Sequence, residues 1–182
     1  MSHLKSVRVA LVATDGFEDS ELTEPLRALR EHGAVVSIIA PTPGYITGKE
    51  GAEIDVDAAI DTVSADDFEA LLLPGGVKNS DALRTNEQVI DFVESFFIHE
   101  KPVAAIWHAP WLLIEAGVAS GRTLTGWPSL QTDLVNAGAN WVDEEVVVDG
   151  KLVTSRKPGD LQAFCDNMLE VFEEAKPLEA AP

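Results

Sequence analysis

Two short stretches carry residue types whose spacing suits chemistry: Pro74-Gly75-Gly76 and Ile106-Trp107-His108-Ala109-Pro110. Each follows an apolar run. Glycines placed directly after a buried strand let backbone N–H groups approach a reacting carbonyl, and one such oxyanion donor is worth ~3 kcal/mol to a transition state. A diglycine is equally what a plain turn needing positive φ requires. The second stretch has the layout of a nucleophile elbow, in which a strained strand-to-helix turn lifts one side chain above the edge of a sheet. The apex of such a turn should be Cys or Ser. Here it is Trp107, which has no nucleophilic atom and whose indole N–H only donates. His108 is either a general base with nothing evident to activate or a polar side chain satisfied in a loop.

Two further stretches sit where strands end. Asp15 to Glu21 (DGFEDSE) brings a cluster of carboxylates that continues to Glu24. Glu18, Asp19, Glu21 and Glu24 are either the acidic first turn of a helix, favourable to its dipole, or a source of a catalytic acid. Trp127-Pro128-Ser129 is the other. His3, His32 and His99 are scattered without metal-ligand spacing, and Cys165 lies inside an amphipathic stretch. No metal, no cofactor and no Cys165 nucleophile are expected.

These positions need elements to hold them. Val7 to Ala13 is a β-branched-rich apolar run, and Glu18 to His32 then sets Leu22, Leu26 and Leu29 on one helical face. Gly33 stops that helix, and Val35 to Ala40 is the next strand. The pattern repeats with a strand over 68–73, a helix over 89–98, a strand over 103–107, a helix near 111–115, a short strand around Leu124 and a helix over 130–137. Strands alternating with helices imply right-handed crossovers and a doubly wound α/β sheet covered on both faces, with ligands outside the carboxyl ends of its strands. Gly48 to Val56 and Trp141 to Arg156 break the rhythm. In the second, VVVDGKLVT sets Asp149-Gly150 between apolar runs, a hairpin signal, so both segments read as antiparallel additions. The last helix, Leu161 to Glu174, carries Phe164, Met168, Leu169 and Phe172 inward, and 177–182 reads as a frayed tail on one domain spanning 1–182.

The chain has 182 residues, 46% hydrophobic and 24% charged, enough to bury roughly 70% of the surface its unfolded form exposes. It needs no cross-links. One cysteine excludes an intramolecular disulfide, and the absence of a signal-peptide pattern points to a cytoplasmic protein. No apolar run approaches the ~20 residues of a bilayer span. Thirteen Lys and Arg against 31 Asp and Glu leave a net charge of −18. That field repels phosphate backbones and anionic lipids, so neither nucleic acid nor membrane is an expected partner. The carboxylates are spread along the chain as a solvated surface, which a high-salt cytoplasm would favour by screening self-repulsion.

At these same residues the sequence closely resembles the ThiJ/PfpI family, the PfpI-type intracellular proteases of the class I glutamine amidotransferase-like superfamily. The motifs are DGFEDSEL at 15–22, TGKEG at 47–51, LLLPGG at 71–76, KPVAAIWHAP at 101–110, NAGANWVDEEVVVDG at 136–150 and SRKPGDLQAF at 155–164. The resemblance implies a flavodoxin-like three-layer α/β/α sandwich with a mostly parallel sheet, assembly into homodimers or hexamers, and a Cys-His pair at the elbow of active members. Where the family reads Ala-Ile-Cys-His-Gly-Pro, Trp107 takes the Cys position and Ala109 that of the following Gly. His108 matches the family histidine, Glu21 the buried glutamate beside the cysteine, and Gly75 and Gly76 the backbone donors. Asp81 resembles the acid that reaches the histidine from a neighbouring subunit.

The family's peptidase, deglycase and glyoxalase activities need a thiolate, which nothing at this elbow forms. Trp also should fill the pocket meant for a substrate carbonyl. The resemblance leaves two kinds of function open. One is a stress-associated member without thiol catalysis, acting through interaction or a small carbonyl or peptide ligand. The other is a hydrolase or lyase in which His108, with Glu21 or Asp81, activates a water. An active enzyme whose nucleophile has been replaced at 107 would read the same way.

Overall fold

Short runs of Val, Leu, Ile and Ala with no polar alternation form strands only if both faces of the sheet are covered. In a computed structural model of the chain, which describes residues 3–175, that is how they are used. The elements are β1 (Arg8–Val12), α1 (Asp19–Glu31), β2 (Val35–Ala40), β3 (Tyr45–Thr47), β4 (Glu53–Asp55), β5 (Ala58–Ala59), β6 (Ala70–Leu73), α2 (Val77–Arg84), α3 (Glu87–Ile98), β7 (Val103–Ile106), α4 (Pro110–Glu115), β8 (Thr123–Leu124), α5 (Gln131–Asn136), β9 (Asn140–Trp141), β10 (Val146–Asp149), β11 (Leu152–Ser155) and α6 (Leu161–Glu173). The tail over 177–182 lies outside the described residues.

Seven strands form one sheet in the order β10-β11-β7-β6-β1-β2-β5. All neighbours run parallel except β10 and β11. Its central strands follow the flavodoxin order, and the connections reverse direction between β1 and β6, so a crevice opens outside the carboxyl ends of those two strands.

Strand side chains alternate between two cores, as a period of two requires. Ala10, Val12, Leu71, Leu73, Val103 and Ala105 point into one, where Val89, Phe92, Val93 and Phe96 of α3 and Leu112 and Leu113 of α4 meet them. Val9, Leu11, Ala70, Leu72, Ala104 and Ile106 point into the other, against Leu22, Leu26 and Leu29 of α1 and Phe164, Met168 and Phe172 of α6. Leu169 is only partly buried there. The result is an α/β/α sandwich.

Three details depart from the sequence reading. The strand around Leu124, β8, is not in the main sheet but pairs with β9 in a separate two-stranded sheet. β11 is not an antiparallel addition: it lies parallel to β7 inside the main sheet, and β10 is the sheet's one antiparallel strand. The hairpin signal reports only the local turn, whereas burial of all four β11 residues is gained by inserting that strand beside β7. The segment over 48–56 does form an antiparallel pair, β3 with β4. Finally, α2 has no counterpart in the apolar pattern, because its buried face is Asn79, Ser80 and Leu83.

Candidate functional site

β7 ends at Ile106, and the Trp107 N–H extends its ladder by one rung, donating to the Ser155 carbonyl at 3.1 Å. The chain then turns sharply. Trp107 has φ 62°, a left-handed conformation that is an outlier for a bulky side chain. The Ala109 N–H donates back to the Ile106 carbonyl at 3.1 Å, the Trp111 N–H to the His108 carbonyl at 3.1 Å, and Pro110 opens α4. The Trp127 N–H donates to the Trp107 carbonyl at 2.9 Å. Bonds on both sides of Trp107 hold a conformation that costs about 1–3 kcal/mol.

α1 and the β6 exit approach this turn from the other side. Glu21 is fully buried, and its Oε1 accepts the Gly75 N–H at 2.9 Å, so that amide serves Glu21. A Cβ on Gly75 would fall against Glu21 Oε1, 2.6 Å from the Ile106 carbonyl and 2.7 Å from Trp107 Cβ. Only glycine fits. Gly76 has φ 114°, and a Cβ there would meet the Gly16 carbonyl and lie 2.9 Å from Phe17 Cα. Burial pushes the Glu21 carboxyl up to about 9, reinforced by the Glu18 charge and opposed by the Gly75 N–H and Lys49. Glu21 is therefore protonated at neutral pH, and its Oε2 is buried without a hydrogen-bond partner among the described residues.

His108 is 5% exposed, and burial pushes it down to about 4, which keeps the imidazole neutral. Three indoles surround it, with ring centroids at 4.8 Å for Trp107, 5.2 Å for Trp111 and 6.5 Å for Trp127. Its Nδ1 and Trp107 Nε1 are both buried without partners among the described residues. The Trp107 and Trp127 rings meet edge to face at 6.3 Å. Trp127 thus reaches the elbow although the strand before it lies outside the main sheet.

The acidic start of α1 divides its work. Asp19 accepts the Glu50 N–H at 2.9 Å and the Ala52 N–H at 2.8 Å, pinning the loop between β3 and β4. Glu18 pairs with Lys49 at 2.8 Å, Glu21 goes to Gly75, and Glu24 pairs with Arg27 at 2.7 Å on the surface. Lys49 Nζ sits 4.9 Å from the Trp107 ring centroid. No sequence argument singled out Lys49. Its signal was the motif TGKEG, unconnected to the elbow until the loop folds back. An open cleft of 560 Å³ runs from Trp107 past Lys49 and Asp15 to Val77 and Lys78.

Asp81 is exposed on α2 and, among the described residues, makes no hydrogen bond or ion pair with His108. Cys165 is on α6, packed against the core that Trp107 also borders, with its thiol pushed up to about 12 by burial. Among the described residues no group of three or more His, Cys, Asp or Glu is placed to hold a metal, and no helix is long and apolar enough to cross a membrane.

A flavodoxin-ordered sheet, a left-handed residue at the exit of β7 and a buried glutamate under a diglycine turn define the class: an α/β/α protein with an elbow at the edge of its sheet. The chain belongs to the DJ-1/PfpI family, whose model matches residues 7–171. General stress protein 18 of Bacillus subtilis is 46% identical over 170 residues, 92% of this chain and 98% of that protein. Protein/nucleic acid deglycase 2 of Escherichia coli is 46% identical over 162 residues, 87% of this chain and 94% of that protein. The crystal structure of DJ-1beta from Drosophila melanogaster superposes with a TM-score of 0.85 at 32% identity, covering 96% of this chain and 92% of that one.

Proposed function

We propose that this chain is a DJ-1/PfpI protein without thiol-dependent catalysis, acting through interaction or by binding a small carbonyl or peptide ligand in the cytoplasm. The observation that carries this reading is Trp107 at the left-handed apex of the elbow, where an indole stands in place of any nucleophilic atom. Cys165 offers no substitute, being on α6 and not at the elbow turn, and held as a thiol by burial. The water-activating alternative is weaker. A general base works best with a pKa near the operating pH, and His108, pushed down to about 4, is a poor proton acceptor at neutrality. Glu21, protonated at neutrality, is an acid there and no base.

The test compares the chain with Trp107→Cys and with the double variant Trp107→Cys, Ala109→Gly in methylglyoxal and aminopeptidase assays. The parent should show no turnover, the single variant a reactive thiol, and the double variant the higher rate, because glycine at 109 leaves room beside the reacting centre. Turnover by the parent of roughly 1 s⁻¹ or more would reject the reading in favour of His108 and water. The exposed Asp81 on α2 fits an assembly in which it approaches His108 of a second copy. Light scattering should then give a dimer or larger species, and a monomer at micromolar concentration would remove that role.

A further inference from the structure

The opposite edge of the sheet holds a cluster that the elbow does not use. Lys101 precedes β7 and Lys151 precedes β11; the two strands run parallel, so both lysines stand at the amino edge, roughly 20 Å along the strand from Trp107. Arg122, just before β8, joins them, and the three line a cavity of 380 Å³ with Phe97, Glu100 and Gly150. A chain with only 13 cations against 31 acids gathers three of them here. Among the described residues none of the three lies within ion-pair distance of a carboxylate.

Their partners are neutral carbonyls. Lys101 Nζ donates to the Ala65 and Phe68 carbonyls at 2.8 Å each, Lys151 Nζ to the Glu100 carbonyl at 2.9 Å, and Arg122 Nε to the Val118 carbonyl at 2.6 Å. Those bonds fix where the charges stand without neutralising them. They leave Lys101 one N–H, Lys151 two, and Arg122 its whole terminal fork. The Arg122 guanidinium also lies 4.8 Å from the Phe97 ring centroid, which aligns a flat apolar wall with a bidentate donor. Burial lowers the Lys101 ammonium, outweighing the Asp66, Glu69 and Asp67 charges that raise it, a penalty that an arriving anion would relieve.

We infer that this amino-edge cavity is a binding site for a small organic anion, a phosphate or carboxylate attached to a planar apolar group. The anionic group sits among Lys101, Lys151 and the Arg122 fork, and the ring lies against Phe97. Glu100 is the acidic residue lining this cavity, and its charge works against the ligand, as do those of Asp66, Asp67 and Glu69, which act on Lys101 from outside it.

Calorimetric titration of the full chain with phenyl phosphate, benzoate and inorganic phosphate tests the site and separates the two sources of the anion. Phenyl phosphate should bind more tightly than inorganic phosphate, and a benzoate affinity above that of phenyl phosphate would assign the site to carboxylates. Lys151→Gln and Arg122→Gln should each weaken binding by about tenfold, the loss of one charge-assisted hydrogen bond, whereas Glu100→Gln should tighten it. Lys157→Gln, an exposed control, should leave it unchanged. Circular dichroism separates a lost site from a lost fold, and Lys151, exposed in a turn, is the substitution least able to unfold the chain. Binding that survives both cation substitutions, or no heat with any of the three anions at millimolar concentration, overturns the inference.

Discussion

At the carboxyl end of β7 the two buried titratable groups have lost their charge, while at its amino end three cations keep theirs. Glu21 and His108 are both buried at the elbow, and desolvation drives the acid up to about 9 and the imidazole down to about 4, leaving two neutral groups beside a neutral indole. Lys101, Arg122 and Lys151 reach the amino edge on long stems, keep part of their surface in water, and take backbone carbonyls as partners. The backbone differs in the same sense. The elbow holds Trp107 left-handed against close neighbours, whereas Gly150 at the cationic cavity, with φ 58°, stands in open space where an added Cβ would meet no atom within 4 Å. One end is tightly built around neutral buried groups, with its charges confined to the Glu18–Lys49 pair and the cleft rim, and the other is open and cationic. The same strand can therefore present two chemistries, because what its ends bind depends on burial in the loops and not on the strand.

Glycine substitutions give that contrast its largest expected effect. Gly76→Ala should destabilise the chain by ~3 kcal/mol or more, combining a left-handed alanine with a collision against the Gly16 carbonyl. Gly150→Ala, left-handed but unobstructed, should cost only ~1 kcal/mol. Urea midpoints compare them directly, and equal losses would show that the elbow is no more tightly built than the hairpin.

Proton linkage comes next. Glu21 has a raised pKa in the folded state, so between about 4.5 and 9 the native chain holds a proton that the unfolded chain has lost, and stability should fall as pH rises through that window. The slope from this one group is at most about 1.4 kcal/mol per pH unit. Glu21→Gln should flatten it. His108 has the opposite sign: its lowered folded pKa makes its contribution complete above 6.5 and lost as pH falls toward about 4, a loss that His108→Gln should abolish. Denaturant titrations at stepped pH check both, and an unchanged profile in Glu21→Gln would mean that the carboxyl is already ionised in the folded protein.

The smallest effect tests the surface that surrounds both edges. With a net charge of −18, added salt should raise the melting temperature by a few degrees between tens of millimolar and molar concentrations, as screening relieves self-repulsion. Calorimetric scans in potassium chloride would detect it, and a flat response would remove the argument for a saline cytoplasm.

How far these features could be read in advance depends on whether the signal was local. β1, β2, β7, α1, α3 and α6 each announce themselves through a run or a helical stripe, because their buried faces are apolar apart from Glu21 on α1. α2 does not, since Asn79 on its buried face serves the backbone instead, accepting the Thr14 N–H at 2.7 Å and donating to the Pro74 carbonyl at 3.1 Å. The placement of β11 beside β7 and the removal of β8 from the main sheet were equally invisible, for pairing partners are chosen by the whole fold.

By itself the sequence determined the layered α/β architecture, the turn at 106–110 and the absence of a nucleophile at its apex, all of which follow from residue type and short-range periodicity. Only the tertiary structure decided which charges survive. Glu21 is protonated because α1 buries it under Gly75, Lys49 rests on Trp107 because the loop between β3 and β4 folds back, and Lys101 and Lys151 share one cavity because β7 and β11 lie parallel, with Arg122 brought to it by the segment before β8. Desolvation and long-range proximity are properties of packing, and no residue carries them in its identity.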